Sequence, residues 1–137
     1  DNIPGSVVAL GPARAVLILG PSGAGKSALA LRLMAYGAHL VADDRVDIWP
    51  EGGALRAQAP ARIRGQIEAR GCGILRADAL TQVLVVLVLD LAQAETDRSP
   101  PVREITLAGV RLPLVLQVQT GHFDVSVLQF LKAGRIA

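Results

Sequence analysis

At 137 residues the chain can bury roughly two thirds of the surface its unfolded form exposes, so one domain over residues 1–137 is predicted, with no need of a disulfide or metal staple. A formal charge of +2 from 14 basic and 12 acidic residues scattered along the chain lays out no basic stripe, and an aromatic share of 3% offers no stacking platform; nucleic acid is excluded as a partner on both counts. The longest purely apolar run, Val83 to Leu89, falls far short of the about 20 residues that cross a bilayer, so no membrane span or signal segment is read.

Cys72 is the single cysteine, which excludes an internal disulfide framework, marks a reducing cytoplasm as the simplest compartment and leaves Cys72 as a small apolar residue.

Val7–Leu10 and Ala15–Leu19 are predicted strands parted by the turn residues Gly11 and Pro12, and the second runs directly into a glycine-rich stretch. Ser27–Tyr36 has almost no β-branching and predicts a helix closed by Gly37; it is apolar nearly all round, hence expected to be buried. His39–Ala42 reads as a brief strand ending at Asp43 and Asp44. Val46 and Ile48 then alternate with polar neighbours up to Pro50, "EGG" turns the chain, and Leu55, Ala57 and Ala59 return it until Pro60. Ile63–Leu75, with Gly65, Gly71 and Gly73, reads as loop or broken helical turn.

Gln82–Leu89 has the continuous apolar pattern of a central strand covered on both faces. Arg103–Leu107 and Val110–Leu116 flank "AG" as a second hairpin, in which Pro113 predicts an edge or a bulge. Asp124 is the expected N-cap of a last helix through Ala133, with Val127, Leu128, Phe130 and Leu131 on its apolar side and Gly134 closing it. Two hairpins and few helices predict an α/β domain with a mixed sheet rather than a doubly wound parallel one.

Gly20, Pro21, Ser22, Gly23, Ala24, Gly25, Lys26 and Ser27 satisfy G-x-x-x-x-G-K-[ST] between a predicted strand and a predicted helix. Each part has a chemical reason. The glycines let successive backbone N–H groups turn inward around an anion, and the following helix points its positive end at the same place. Lys26, one of two lysines in a chain with twelve arginines, is a compact cation for the β and γ oxygens of ATP, and the Ser27 hydroxyl is a hard oxygen ligand for Mg²⁺.

Such a P-loop requires an acidic partner at a neighbouring strand end, and on spacing either Asp43/Asp44 or Asp90 serves. Paired aspartates carry the more specific implication: one can hold Mg²⁺ through water while the other accepts a proton from a hydroxyl nucleophile, which is kinase chemistry. His39 and His122 stand alone and read as surface or capping residues, and Arg62, Arg64 and Arg70 as a solvated face.

The run "GPSGAGKSALALRL" with "GAHLVADDRVDI", followed by "IEARGCGIL", resembles the catalytic domain of the HPr kinase/phosphorylase family, and in particular its short alphaproteobacterial form. The likeness is strongest from Val7 to Leu75. It implies a P-loop kinase fold of the PEP carboxykinase-like type, ATP and Mg²⁺ as cofactors, a serine of the phosphocarrier protein HPr as acceptor, and a homo-oligomer, hexameric in the family. Residue by residue, it implies that Lys26 and the loop hold the nucleotide phosphates, that Ser27 and Glu68 ligate the metal with support from Asp43, that Asp44 is the catalytic base, and that Arg98 contacts phosphate.

The chain departs from the family pattern at Pro4, where the family has a histidine, in lacking a glycine-rich loop after the Glu68 motif, and in a C-terminal segment without the family's "PVRPGRN". These departures count against the reverse phosphorylase reaction. They also keep in view a nucleotide-binding regulatory module with little or no kinase activity. A small-molecule P-loop kinase is the third reading, though it would want a substrate lid of some 20 or more residues, and none is found.

Overall fold

In the computed structural model, which covers residues 1–137, an unpredicted strand, β1 (Asn2–Pro4), precedes the two predicted opening strands, β2 (Ser6–Ala9) and β3 (Ala15–Leu19). β2 and β3 are antiparallel, with Val7 opposite Leu17. α1 (Lys26–Ala35) follows the glycine-rich loop. It ends as expected: Gly37, at φ 107, donates to the Met34 carbonyl, and Ala38 donates to that of Leu33. It is not buried all round, however. Only Leu29, Ala30 and Leu33 are buried and Tyr36 is 55% exposed, because a helix lying on a sheet presents a single stripe to it.

β4 (His39–Ala42), β5 (Arg45–Glu51) and β6 (Ala54–Gln58) follow the predicted pattern, with Val46, Ile48, Leu55 and Ala57 facing inward. The stretch read as loop forms a 3-10 turn, Ala61–Ile63, and then a separate antiparallel hairpin of β7 (Gln66–Ala69) and β8 (Gly73–Arg76). Its pattern was too weak to betray a strand, since Ile67 is the one buried residue of the pair. Cys72 sits exposed in its turn rather than packed as a small apolar residue.

β9 (Val83–Ala94) is the central strand and runs five residues beyond the predicted end at Leu89. It lies parallel to β3 along one edge; along the other it pairs first with β6, antiparallel, and then with β11 (Val110–Gln117), parallel. The covering of both faces holds only over Leu87–Leu89, whose side chains contribute about 1.5–3 kcal/mol each.

Val86 is the reason for that limit. Ala15 pairs with Val85 but Val16 with Leu87, so Val86 is an extra residue, 37% exposed, and the bulge moves the odd positions from one face of the sheet to the other.

β10 (Arg103–Leu107) completes the second hairpin through Ala108 and Gly109, both left-handed. Of the edge or bulge predicted from Pro113, the edge is what forms there: Pro113 stands in regular register opposite Glu104, one residue before β11 begins to pair with β9, and the register shift falls between Leu116 and Gln117.

The sheet has the order β1-β5-β6-β9-β3-β2-β4, with β11 and β10 attached to the far half of β9. One face packs against α1 and α2 (Phe123–Ala133) through Val8, Val16, Ile18, Leu33, Leu128 and Leu131. The opposite core contains no helix residue: Val7, Leu17, Val46, Leu55 and Val88 of the strands build it, with Ala59 just past β6. α2 begins two residues earlier than predicted: His122 is the N-cap, and Asp124 lies in the first turn, where its charge favours the helix dipole and meets Arg32 of α1 at 3.4 Å. Arg14, in the β2–β3 turn, donates to the Leu131 and Lys132 carbonyls and caps the other end. Neither helix is long and apolar enough to cross a membrane.

Candidate active site

β3 delivers the chain to the loop at the point where β9 lies alongside, with Leu19 opposite Asp90. Space there is tight: a Cβ at Gly20 would stand 3.1 Å from Leu91 and 3.2 Å from Ala24, and Gly23 and Gly25 are left-handed at φ 85 and 99. The glycines of the motif are therefore demanded by the backbone path itself. Lys26 bends back over the loop, its Nζ donating to the carbonyls of Gly20 at 2.7 Å and Pro21 at 3.1 Å.

The loop forms one wall of an open cleft of about 740 Å³. Gly20–Gly23, Gly25, Lys26 and Ser27 line it from one side, and Pro4, Asp44, Glu68 and Arg70 from others. A second hollow of about 230 Å³ shares Ser27, Asp44 and Glu68 with it and adds Asp43.

Asp43 and Asp44, adjacent in sequence, have opposite surroundings. Asp43 is 5% exposed. Its Oδ1 accepts from the Ser6 and Ser27 hydroxyls, both at 2.7 Å, and its Oδ2 accepts from the Glu68 backbone N–H at 3.0 Å and also faces Ser27 Oγ at 3.0 Å. Asp44 is left-handed at φ 74, exposed, and its carboxylate makes no hydrogen bond or ion pair within the chain. The kink is pinned on both sides, because Gly5 donates to the Asp44 carbonyl and Arg45 to that of Asp43. A left-handed residue between two strands sends one carboxylate under the loop and its neighbour into the cleft, and aspartate tolerates that conformation better than most residues.

Glu68 contributes twice: its N–H steadies Asp43, and its exposed side chain lines the cleft. Three acidic side chains do not converge into an all-protein metal cage.

Asp90 and Arg98 stand apart from the cleft. Asp90, the alternative acidic partner, turns its carboxylate onto the Ala92 N–H at 2.8 Å and Gln93 Nε2 at 2.7 Å and lines no part of the cleft. Arg98 is exposed in the segment beyond β9 and likewise does not line it. The arginine that does is Arg70, read from sequence as part of a solvated face. Arg62 and Arg64 are solvated as expected, and His39 and His122 are exposed. Ser6 went unnoticed; its only sequence signal is a hydroxyl at the head of the apolar strand "SVVA".

The mixed sheet, its hairpins and its two helices place the chain among α/β proteins, and the same fold occurs in the structure of the Hpr(Ser) kinase/phosphatase from Coxiella burnetii, with a TM-score of 0.79 at 22% identity over 96% of this chain and 94% of that one. Residues 6–95 match the HPr Serine kinase C-terminal domain, and the chain belongs to that family. It is 38% identical over 127 residues to the HPr kinase/phosphorylase of Streptococcus sanguinis, covering 82% of this chain and 40% of that protein, and 44% identical over 91 residues to that of Clostridium novyi, covering 61% and 30%. The chain thus spans less than half the length of these relatives.

Proposed function

We propose that this chain is a P-loop kinase domain of the PEP carboxykinase-like type that transfers the γ-phosphoryl group of ATP to a serine hydroxyl of HPr. One observation carries the reading: a single cleft gathers Gly20–Gly23 and Gly25 of the glycine-rich loop, Lys26 and Ser27 together with an unengaged carboxylate, Asp44. Family membership and the kinase names of the relatives support the choice of acceptor.

In this reading the loop amides and Lys26 bind the triphosphate, and Lys26 exchanges its carbonyl partners for phosphate oxygens. Asp44, free of internal partners, accepts the proton of the incoming serine as its oxygen attacks phosphorus. Arg70 faces the same space and offers the positive charge that the resemblance assigned to Arg98. The donor set fits Mg²⁺, which takes hard oxygens and commonly one or two protein ligands besides phosphate. Ser27 and Glu68 would hold it, with Asp43 gripping the Ser27 proton from below. Bound there, the metal neutralises charge on the transferred group. Pro4 supplies no titratable group on the cleft wall beside Asp44, so the reading is confined to the forward transfer.

The test is incubation with HPr and γ-labelled ATP, beside Lys26→Ala as control. Label on an HPr serine, absent with the variant, is expected. Tight ATP binding with no label on HPr overturns the kinase reading in favour of a nucleotide-binding module.

A further inference from the structure

Ser6 and Asp43 are the only polar or charged residues in the buried set, at 0% and 5% exposure, and they are bonded to each other at 2.7 Å. The position of Ser6 asks for an explanation. It lies on β2 opposite Ile18 of the strand that feeds the glycine-rich loop, and the three residues after it are apolar and wholly buried. Valine there would bury more apolar surface and leave no hydroxyl to satisfy. Asp43 is the group that needs the hydroxyl.

We propose that Ser6 is a positioning residue for metal-assisted nucleotide binding, acting through Asp43 on Ser27. The Asp43 carboxylate is gripped at Oδ1 by Ser6 and at Oδ2 by the Glu68 N–H, and these two fixed donors set its plane. Ser27 then directs its one proton at both oxygens, at 2.7 and 3.0 Å, which turns the lone pairs of its oxygen away from Asp43. Ser27 itself lines the cleft, so those lone pairs are available to a cation there. Without the Ser6 hydroxyl, Oδ1 keeps Ser27 as its single donor. The carboxylate is then free to turn about its own axis, and Ser27 turns with it. The inference rests on the reading that Ser27 holds the metal.

Ser6→Thr and Ser6→Val test it as a pair, because the two side chains have nearly the same shape and differ by the hydroxyl. ATP affinity of each is measured by titration calorimetry in EDTA and in saturating Mg²⁺, and the ratio gives the metal's enhancement. The expected result is wild-type enhancement in Ser6→Thr and about tenfold less in Ser6→Val, as for other groups that orient metal ligands, with metal-free affinities of the two variants alike. Should Ser6→Val not fold, Ser6→Ala takes its place against Ser6→Thr.

Equal enhancement with and without the hydroxyl overturns the proposal. Parallel loss of metal-free and metal-bound affinity also overturns it, since that is a packing defect. Absence of any enhancement in the wild type has a different meaning: it overturns the assignment of Ser27 as metal ligand, and the inference falls with it.

Discussion

Every residue that lines the main cleft lies between Pro4 and Arg70, whereas β10, β11 and α2 contribute nothing to it. The two regions are built on different physics. In the first, backbone geometry is unusual where chemistry is expected: Gly20, Gly23, Gly25 and Asp44 all have positive φ, and polar groups crowd around one buried carboxylate. In the second, Val110, Leu112, Phe123, Val127, Leu128 and Leu131 are buried against the sheet, and polar contacts serve mainly to fasten helix ends and strand ends. The contrast teaches that this fold can separate a reactive rim from a stiffening flank, so a change in one should leave the other's property intact.

Asp44→Asn is the sharpest way to break that separation. Asparagine keeps the left-handed backbone and the side chain's size while removing the proposed base. Phosphoryl transfer should fall by about 10²–10⁴, read in single-turnover assays, with ATP affinity and thermal midpoint unchanged. Loss of ATP affinity in step with the rate would mean that Asp44 holds the nucleotide and is not the base.

Leu131→Ala tests the flank. Leu131 is 3% exposed in the core shared with Leu29, Leu33 and Leu89. Its truncation should lower unfolding stability by about 2–5 kcal/mol in a urea titration, while ATP affinity of the folded variant stays at the wild-type value. A large fall in that affinity would show that the helical flank shapes the cleft after all.

How far each region could be read from sequence follows the same division. Strands and hairpins along β2 to β6 were legible because Val7, Val46, Ile48, Leu55 and Ala57 alternate cleanly, and the loop was legible because its left-handed backbone path admits so few residue types besides glycine. The β7–β8 hairpin escaped because it is nearly all exposed, leaving no inward-facing set to give it a period. The separate roles of Asp43 and Asp44 came from the family resemblance and not from spacing. Spacing placed both at a strand end, but which one turns inward depends on the donors Ser6 and Glu68, 37 and 25 residues away. Arg70 was read as part of a solvated face for a related reason, since only the folded hairpin brings it to the cleft.

The smallest effect expected lies at the boundary of the two regions. Glu95, just past β9, receives Arg103 of β10 through two bonds, at 3.0 and 3.1 Å, and thereby closes the base of the segment that carries Arg98. The Glu95 side chain is 6% exposed there. The Arg103 guanidinium holds its carboxyl below the ordinary value of 4.5; burial opposes that shift, and the Asp97 and Thr96 N–H groups add to it. A lowered carboxyl pKa means that the unfolded chain binds the proton more readily. The pair's stabilisation is therefore fully present above pH 4.5 and is lost as pH falls through the lower, folded value. Comparing wild type with Glu95→Gln by denaturant unfolding should show a constant difference from about pH 7 down to 5 that shrinks in more acid solution. A difference that grew on acidification would carry the wrong sign for this ion pair and would assign the stabilisation to something other than the Glu95 charge.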